Sequence, residues 1–99
     1  MVITEGKMKK IRILLFLFGN VQGVGLRKKI LEKRNKDFKT IAGFAKNLPP
    51  PDRNVEIALE GDYGNIICFE KWIGELEGVK QTKVIRENYT GEFTDFEIR

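Results

Sequence analysis

Residues Ile11 to Phe18 are apolar apart from Arg12, and Gly19, Gly23 and Gly25 follow within seven residues. A strand-sized run with no polar face belongs in the middle of a sheet, covered on both sides, and not at an edge. The glycines demand a sharp, backbone-rich turn as soon as the strand ends, because glycine reaches left-handed conformations freely. Any fold for this chain has to be assembled around that strand and that turn. With 99 residues and 41% hydrophobic content, the chain fits one domain over residues 1–99, which at this size buries roughly 65% of the unfolded surface. There is room for one core and one site.

The rest of the chain supplies partners for the strand. From Gly25 to Asp37 the sequence is helix-forming and basic, with Leu26, Ile30 and Leu31 as a narrow inward stripe. Thr40 to Asn47 reads as a second strand. In Val55 to Glu60, Val55, Ile57 and Leu59 alternate with Glu56 and Glu60 as a third. Between them Leu48 to Asn54 must turn, since Pro49, Pro50 and Pro51 cannot continue a ladder. Tyr63 to Leu76 places Ile66, Phe69, Trp72, Ile73 and Leu76 at helical spacing behind Asp62, an expected N-cap. Val79 to Glu87 and a short segment at Phe96 and Ile98 complete the strands. Residues 1–10 show little periodicity and read as a frayed end, in which Met8 offers a second translation start. The order predicts an α+β, ferredoxin-like βαββαβ sandwich with a short extra C-terminal strand, its antiparallel sheet covered by two helices on one face. That plan hosts many functions and by itself predicts none.

Composition removes whole classes of chemistry. The chain has no histidine and no serine, so Ser-His triads, histidine bases and histidine metal sites are excluded. Cys68 is the single cysteine; it cannot form an internal disulfide and is expected in the core of the second helix. No apolar run approaches the roughly 20 residues of a membrane span, and no signal-type segment is evident, so a cytoplasmic protein with no membrane partner is expected. Residues 1–53 hold 13 Lys/Arg and 4 Asp/Glu, a balance of +9, whereas residues 54–99 hold 5 and 10, a balance of −5. Such asymmetry fits an anion-binding face, or a solvated Lys/Glu surface. Nothing sets an oligomeric state, and a monomer is the default.

The turn after the first strand is where an anion would go. Glycine-rich backbone and the opening of a helix direct N–H groups at one spot, the helix end adds roughly half a positive charge, and Arg27 offers a planar fork for two phosphate oxygens. The spacing is neither the dinucleotide-binding nor the nucleotide-triphosphate glycine motif. Cys68 has no arginine six residues on and there is no Asp-x-Asp pair, so a covalent phosphoenzyme lacks its nucleophile. Hydrolysis would have to use water directly, and Asn47, whose amide both accepts and donates, is the candidate to hold it. Asn47 also suits ordinary turn chemistry before Pro49.

Gly19-Asn20-Val21-Gln22-Gly23-Val24-Gly25-Leu26-Arg27 resembles the acylphosphatase signature G-x-V-Q-G-V-x-F-R. Gly43-Phe44-Ala45-Lys46-Asn47 is similar to that family's G-[WY]-V-x-N, and Val55-Glu56, Glu60-Gly61 and Phe96-Glu97-Ile98-Arg99 extend the likeness over about residues 10–99. The resemblance implies that Arg27 binds phosphate and Asn47 orients the attacking water. It implies that Asn20, Val21, Gln22, Gly23, Val24, Gly25 and Leu26 form the phosphate-binding loop. The implied activity is hydrolysis of an acyl phosphate to carboxylate and inorganic phosphate, with no metal and no cofactor. Against the pattern, Leu26 replaces Phe, Asn20 stands where a basic residue is common, and Val79 replaces a proline after Gly78. Arg27 to Asn47 is two residues longer, and Leu48 to Asn54 replaces a tighter turn. These departures motivate a second reading, a catalytically weak or inactive phosphate-binding module. A third, nucleic-acid binding, follows from Lys28, Lys29, Lys33, Arg34, Lys36 and Lys39, but the expected sheet lacks the aromatic base-stacking pairs of RNA-recognition motifs.

Overall fold

Alternation along the first strand decides which way the layers face. The computed structural model describes residues 9–23 and 25–99; the segment expected to fray therefore lies outside it up to residue 8, as does Val24. Strand β1 (Lys10–Gly19) buries Ile11, Ile13, Leu15 and Leu17 and turns Arg12, Leu14, Phe16 and Phe18 to the opposite side, where they are only half-buried. Helices α1 (Leu26–Asp37) and α2 (Tyr63–Gly74) cover the first side. From α1 only Leu26 and Ile30 are fully buried. From α2 come Ile66, Phe69 and Ile73, with the Phe69 ring stacked on Phe38 at a centroid distance of 4.7 Å. One side of β1 is thus a true core face. The expectation that both sides are covered is corrected: among the described residues no helix packs on the second.

Strands β2 (Ala42–Asn47), β3 (Val55–Asp62), β4 (Val79–Glu87) and β5 (Phe96–Ile98) complete a sheet of order β4-β1-β3-β2-β5. The β1–β3, β1–β4 and β2–β3 pairs are antiparallel, as expected, but β5 lies parallel to β2. The sheet is therefore mixed. The chain leaves β4 at one edge, returns over the open face and runs opposite to β4, which is the direction of β2. Three local expectations also change. Lys10 belongs to β1, opposite Asp62, and the Lys9 carbonyl accepts a hydrogen bond from Tyr63 N at 2.8 Å. Asp62 occupies the N-cap position without a side-chain cap, its carboxylate lying 3.7 Å from Lys10 Nζ instead. Cys68 is exposed and not a core residue, because it stands roughly 200° around the helix from Ile66.

The return across the open face is pinned by charge. Glu60, only 2% exposed, accepts hydrogen bonds from Thr90 N at 2.9 Å and Thr90 Oγ1 at 2.7 Å. Arg12 donates to Glu87 and Glu92, both at 2.9 Å, and lies 3.5 Å from Glu60. Its guanidinium also sits 4.9 Å from the centre of the Phe93 ring, which meets Phe44 edge-on at 5.8 Å. This cluster holds the Asn88 to Asp95 connection on β1 and β3 and so delivers β5 to the β2 edge. On the helix side Arg34 bonds Ile41 O at 2.8 Å and pairs with Asp95 at 3.0 Å, so part of the basic excess of the first half is structural.

Backbone contact fixes the far end of β1. Asn20 N donates to Gly78 O at 2.9 Å, and a Cβ on Gly19 would lie 2.5 Å from that same oxygen. Gly19 also has φ 123°, a conformation that strains any residue with a side chain.

Two outcomes follow. Burial pushes the Glu60 carboxyl up, but the Thr90 hydrogen bonds and the Arg12 charge outweigh it and hold it below its ordinary range. Its stabilising contribution is then complete above about pH 4.3, the usual glutamate value, and is lost as pH falls through the lower folded value. Glu60→Gln should cost about 1.5–3 kcal/mol at pH 7, the range for hydrogen bonds to charged groups, with the gap to wild type closing in acid when urea midpoints are compared. Gly19→Ala should cost about 2 kcal/mol or more through strain and overpacking, whereas Gly23→Ala, whose Cβ would meet nothing within 4 Å, should cost only about 1 kcal/mol from its positive φ.

Candidate active site

The stretch from Gly19 to Arg27 is a turn gripped at its start and middle and open at its end. Val21 is 2% exposed and anchors the turn in the core. The Gln22 amide nitrogen donates to Leu48 O at 2.8 Å and to Asn54 O at 2.9 Å, while Leu48 N donates to Asn54 O at 2.8 Å. Both Gln22 protons therefore go to the proline-rich connection, and this side chain is a brace between two loops. Gly23 and Gly25 follow with φ 76° and 74°, left-handed values that permit the reversal without a Cβ cost. A Cβ on either would meet nothing within 4 Å, so their outer faces look into open space.

Gly25 is the N-cap of α1, with no side-chain cap and no acidic residue in the first turn. The first-turn N–H groups and the positive end of the helix dipole are therefore left for an anion. Arg27 lies in that turn and donates to Arg99 O at 2.8 Å, a bond made possible by the parallel docking of β5 on β2. One guanidinium nitrogen is thereby anchored and the fork is aimed.

Asn47 closes the other wall. It ends β2 opposite Val55, immediately before the proline-rich connection. Its Oδ1 is buried and has no hydrogen-bond partner among the described residues. An orphaned buried acceptor costs about 1–3 kcal/mol, so a native structure keeps one where something else supplies the proton. Gly23, Gly25, Leu26, Arg27, Asn47 and Ile98 line one hollow of about 160 Å³.

The structure thus brings together Arg27, Asn47, Val21, Gly23, Gly25 and Leu26 of the expected site. Asn20 faces the adjoining hollows and the Gln22 side chain serves the brace; Val24 lies outside the described residues. Two contributors were not expected: the main-chain oxygen of Arg99 and Lys28, which lines the hollow beside Arg27. The Lys28 position could have been read from the helix start, but no sequence signal points to a main-chain oxygen. A larger hollow of about 540 Å³ opens at the other end of β1, between Lys9 and Tyr89. It has neither a glycine turn nor a helix start, so no convergent backbone N–H groups serve it.

Comparison with known proteins matches this architecture throughout. The acylphosphatase family model fits residues 13–98. An acylphosphatase of Geotalea uraniireducens is 33% identical over 92 residues, covering 90% of this chain and 97% of the relative, and one of Syntrophobacter fumaroxidans is 32% identical over 94 residues, covering 92% and 93%. The crystal structure of acylphosphatase from Bacillus subtilis superposes with a TM-score of 0.78 at 25% identity, over 90% of this chain and 98% of that one. With the family model spanning nearly the whole fold, the chain belongs to the acylphosphatase family.

Proposed function

We propose that the Asn20 to Leu26 loop and Arg27 hold the phosphate of an acyl phosphate while Asn47 positions the water that attacks phosphorus. Family membership makes hydrolysis of acyl phosphates, a reaction on an acid anhydride, the activity of this chain. The observation that supports this assignment of roles is that Asn47 lines the same hollow as Arg27 and the two left-handed glycines, with a buried Oδ1 that no described residue satisfies.

The chemistry asks for little more than this. Phosphoryl transfer passes through a loose transition state with charge spread over the peripheral oxygens, so positioning and charge stabilisation dominate. Backbone N–H groups from the turn and the Arg27 fork meet those oxygens. Water attacks in line, a P–O bond forms to it, and the bond from phosphorus to the acyl oxygen breaks with its electron pair left on the departing carboxylate. A carboxylate leaves without a general acid, since carboxyl pKa values near 4 make it stable at neutral pH. Asn47 accepts a hydrogen bond from the water and does not take its proton, which passes to a phosphate oxygen or to solvent.

The binding-only reading is not favoured, since relatives that span the whole domain are acylphosphatases. Nucleic acid fits the molecule less well for a geometric reason. Phe16 and Phe18 stand half-buried on the open face, whereas the basic α1 packs on the opposite side of the sheet. Phosphate and base contacts would thus be split between two faces. No helix among the described residues is long and apolar enough to cross a membrane; the single cysteine suits a reducing compartment, and we place the reaction in the cytoplasm.

Benzoyl phosphate hydrolysis by purified protein checks the assignment. Arg27→Ala should lose about 3 kcal/mol of transition-state stabilisation, on the order of a hundredfold in kcat/KM. Asn47→Ala should lower kcat with KM little changed. Wild-type turnover no faster than that of Arg27→Ala would refute both roles.

A further inference from the structure

A second hollow of about 420 Å³ adjoins the phosphate loop and shares Val21 and Gly23 with the first. Its far wall is the proline-rich connection, through Pro50 and Arg53. Neither Asn47 nor Arg27 lines it. Arg53 is exposed and holds φ 53°, a left-handed value that a bulky residue seldom adopts. Among the described residues its side chain takes part in no hydrogen bond or ion pair, unlike Arg12, Arg34 and Arg99. A third hollow beside the loop carries Lys29 together with Glu77, so its charges balance. The Arg53 hollow holds a cation with no acid in its lining.

In-line displacement makes use of this asymmetry. The leaving oxygen departs on the side of phosphorus away from the attacking water, and of the two hollows that share Val21 and Gly23, the one without Asn47 is walled by Arg53. From these positions we infer that Arg53 is a specificity residue that receives a carboxylate on the acyl part of the substrate, which makes the acyl phosphate of a dicarboxylic acid the preferred substrate class. This inference rests on the acyl phosphate reading above. The guanidinium fork matches a carboxylate with two parallel hydrogen bonds. It also supplies a positive charge beside the loop at which the family pattern would place one at residue 20, where this chain has Asn20.

The test compares benzoyl phosphate with 4-carboxybenzoyl phosphate. Wild type should favour the carboxylated substrate about fivefold in kcat/KM, expressed in KM, as befits one exposed ion pair. Arg53→Asn, which suits a left-handed backbone, should abolish the preference and leave benzoyl phosphate turnover unchanged; Arg53→Glu should reverse it. No preference in wild type, or a preference that survives in Arg53→Asn, overturns the inference. Calorimetric titration with benzoylphosphonate and 4-carboxybenzoylphosphonate separates it from the hydrolysis reading. If neither substrate turns over, a carboxylate preference in Kd that Arg53→Asn removes still supports the role of Arg53, and equal Kd values overturn it.

Discussion

The turn from β1 into α1 is held by backbone at one end and by a side-chain amide in the middle, and the rest of the site is arranged around it. At its start two glycine-permitted conformations let Asn20 N reach Gly78 O at 2.9 Å, closer than side chains on Gly19 or Gly78 would allow. In its middle Gln22 spends both amide protons on the carbonyls of Leu48 and Asn54. That brace ties the turn to the end of β2, so the distance between the helix start and Asn47 does not depend on the length of the connection beyond. The extra residues of Leu48 to Asn54 bulge outward, and they carry Arg53 to the rim of the loop.

Arg27 depends on a second, longer chain of contacts. Its anchor is the main-chain oxygen of Arg99, which is in place because β5 docks parallel on β2. β5 in turn arrives there because the connection from β4 is nailed to the open face by Arg12, Glu60 and Thr90. A buried carboxylate is costly unless donors meet it; Glu60 Oε2 receives two from Thr90 with Arg12 beside it, while the buried Oε1 has no partner among the described residues. The charge cluster on the open face and the guanidinium at the edge of the sheet are thus parts of one arrangement.

Much of this is legible in residue order. The spacing of Ile66, Phe69 and Ile73 marks the buried stripe of α2, and the same spacing, applied strictly, puts Cys68 outside. The glycines mark a sharp turn into α1, and Gly23 and Gly25 do take left-handed conformations there, with Arg27 in the first turn of the helix. What residue order does not carry is pairing that leaves no local trace. A strand as short as β5 looks the same whether it lies parallel or antiparallel to its neighbour, and Glu60 looks like any outward acid of an alternating strand until Thr90 is brought over it. Apolarity on both sides of β1 suggests two covered faces; Leu14, Phe16 and Phe18 are instead half-buried on a face that only the return connection crosses. The Asp62 cap fails because Lys10 competes for the carboxylate.

The central claim is that water held at Asn47 attacks phosphorus while the loop and Arg27 hold the phosphate. Hydrolysis of benzoyl phosphate in ¹⁸O-labelled water reads this directly by mass spectrometry of the two products. The label should appear in inorganic phosphate and not in benzoate, and label incorporation should slow in Asn47→Ala. Label recovered in benzoate would mean attack at the acyl carbon and would contradict the account.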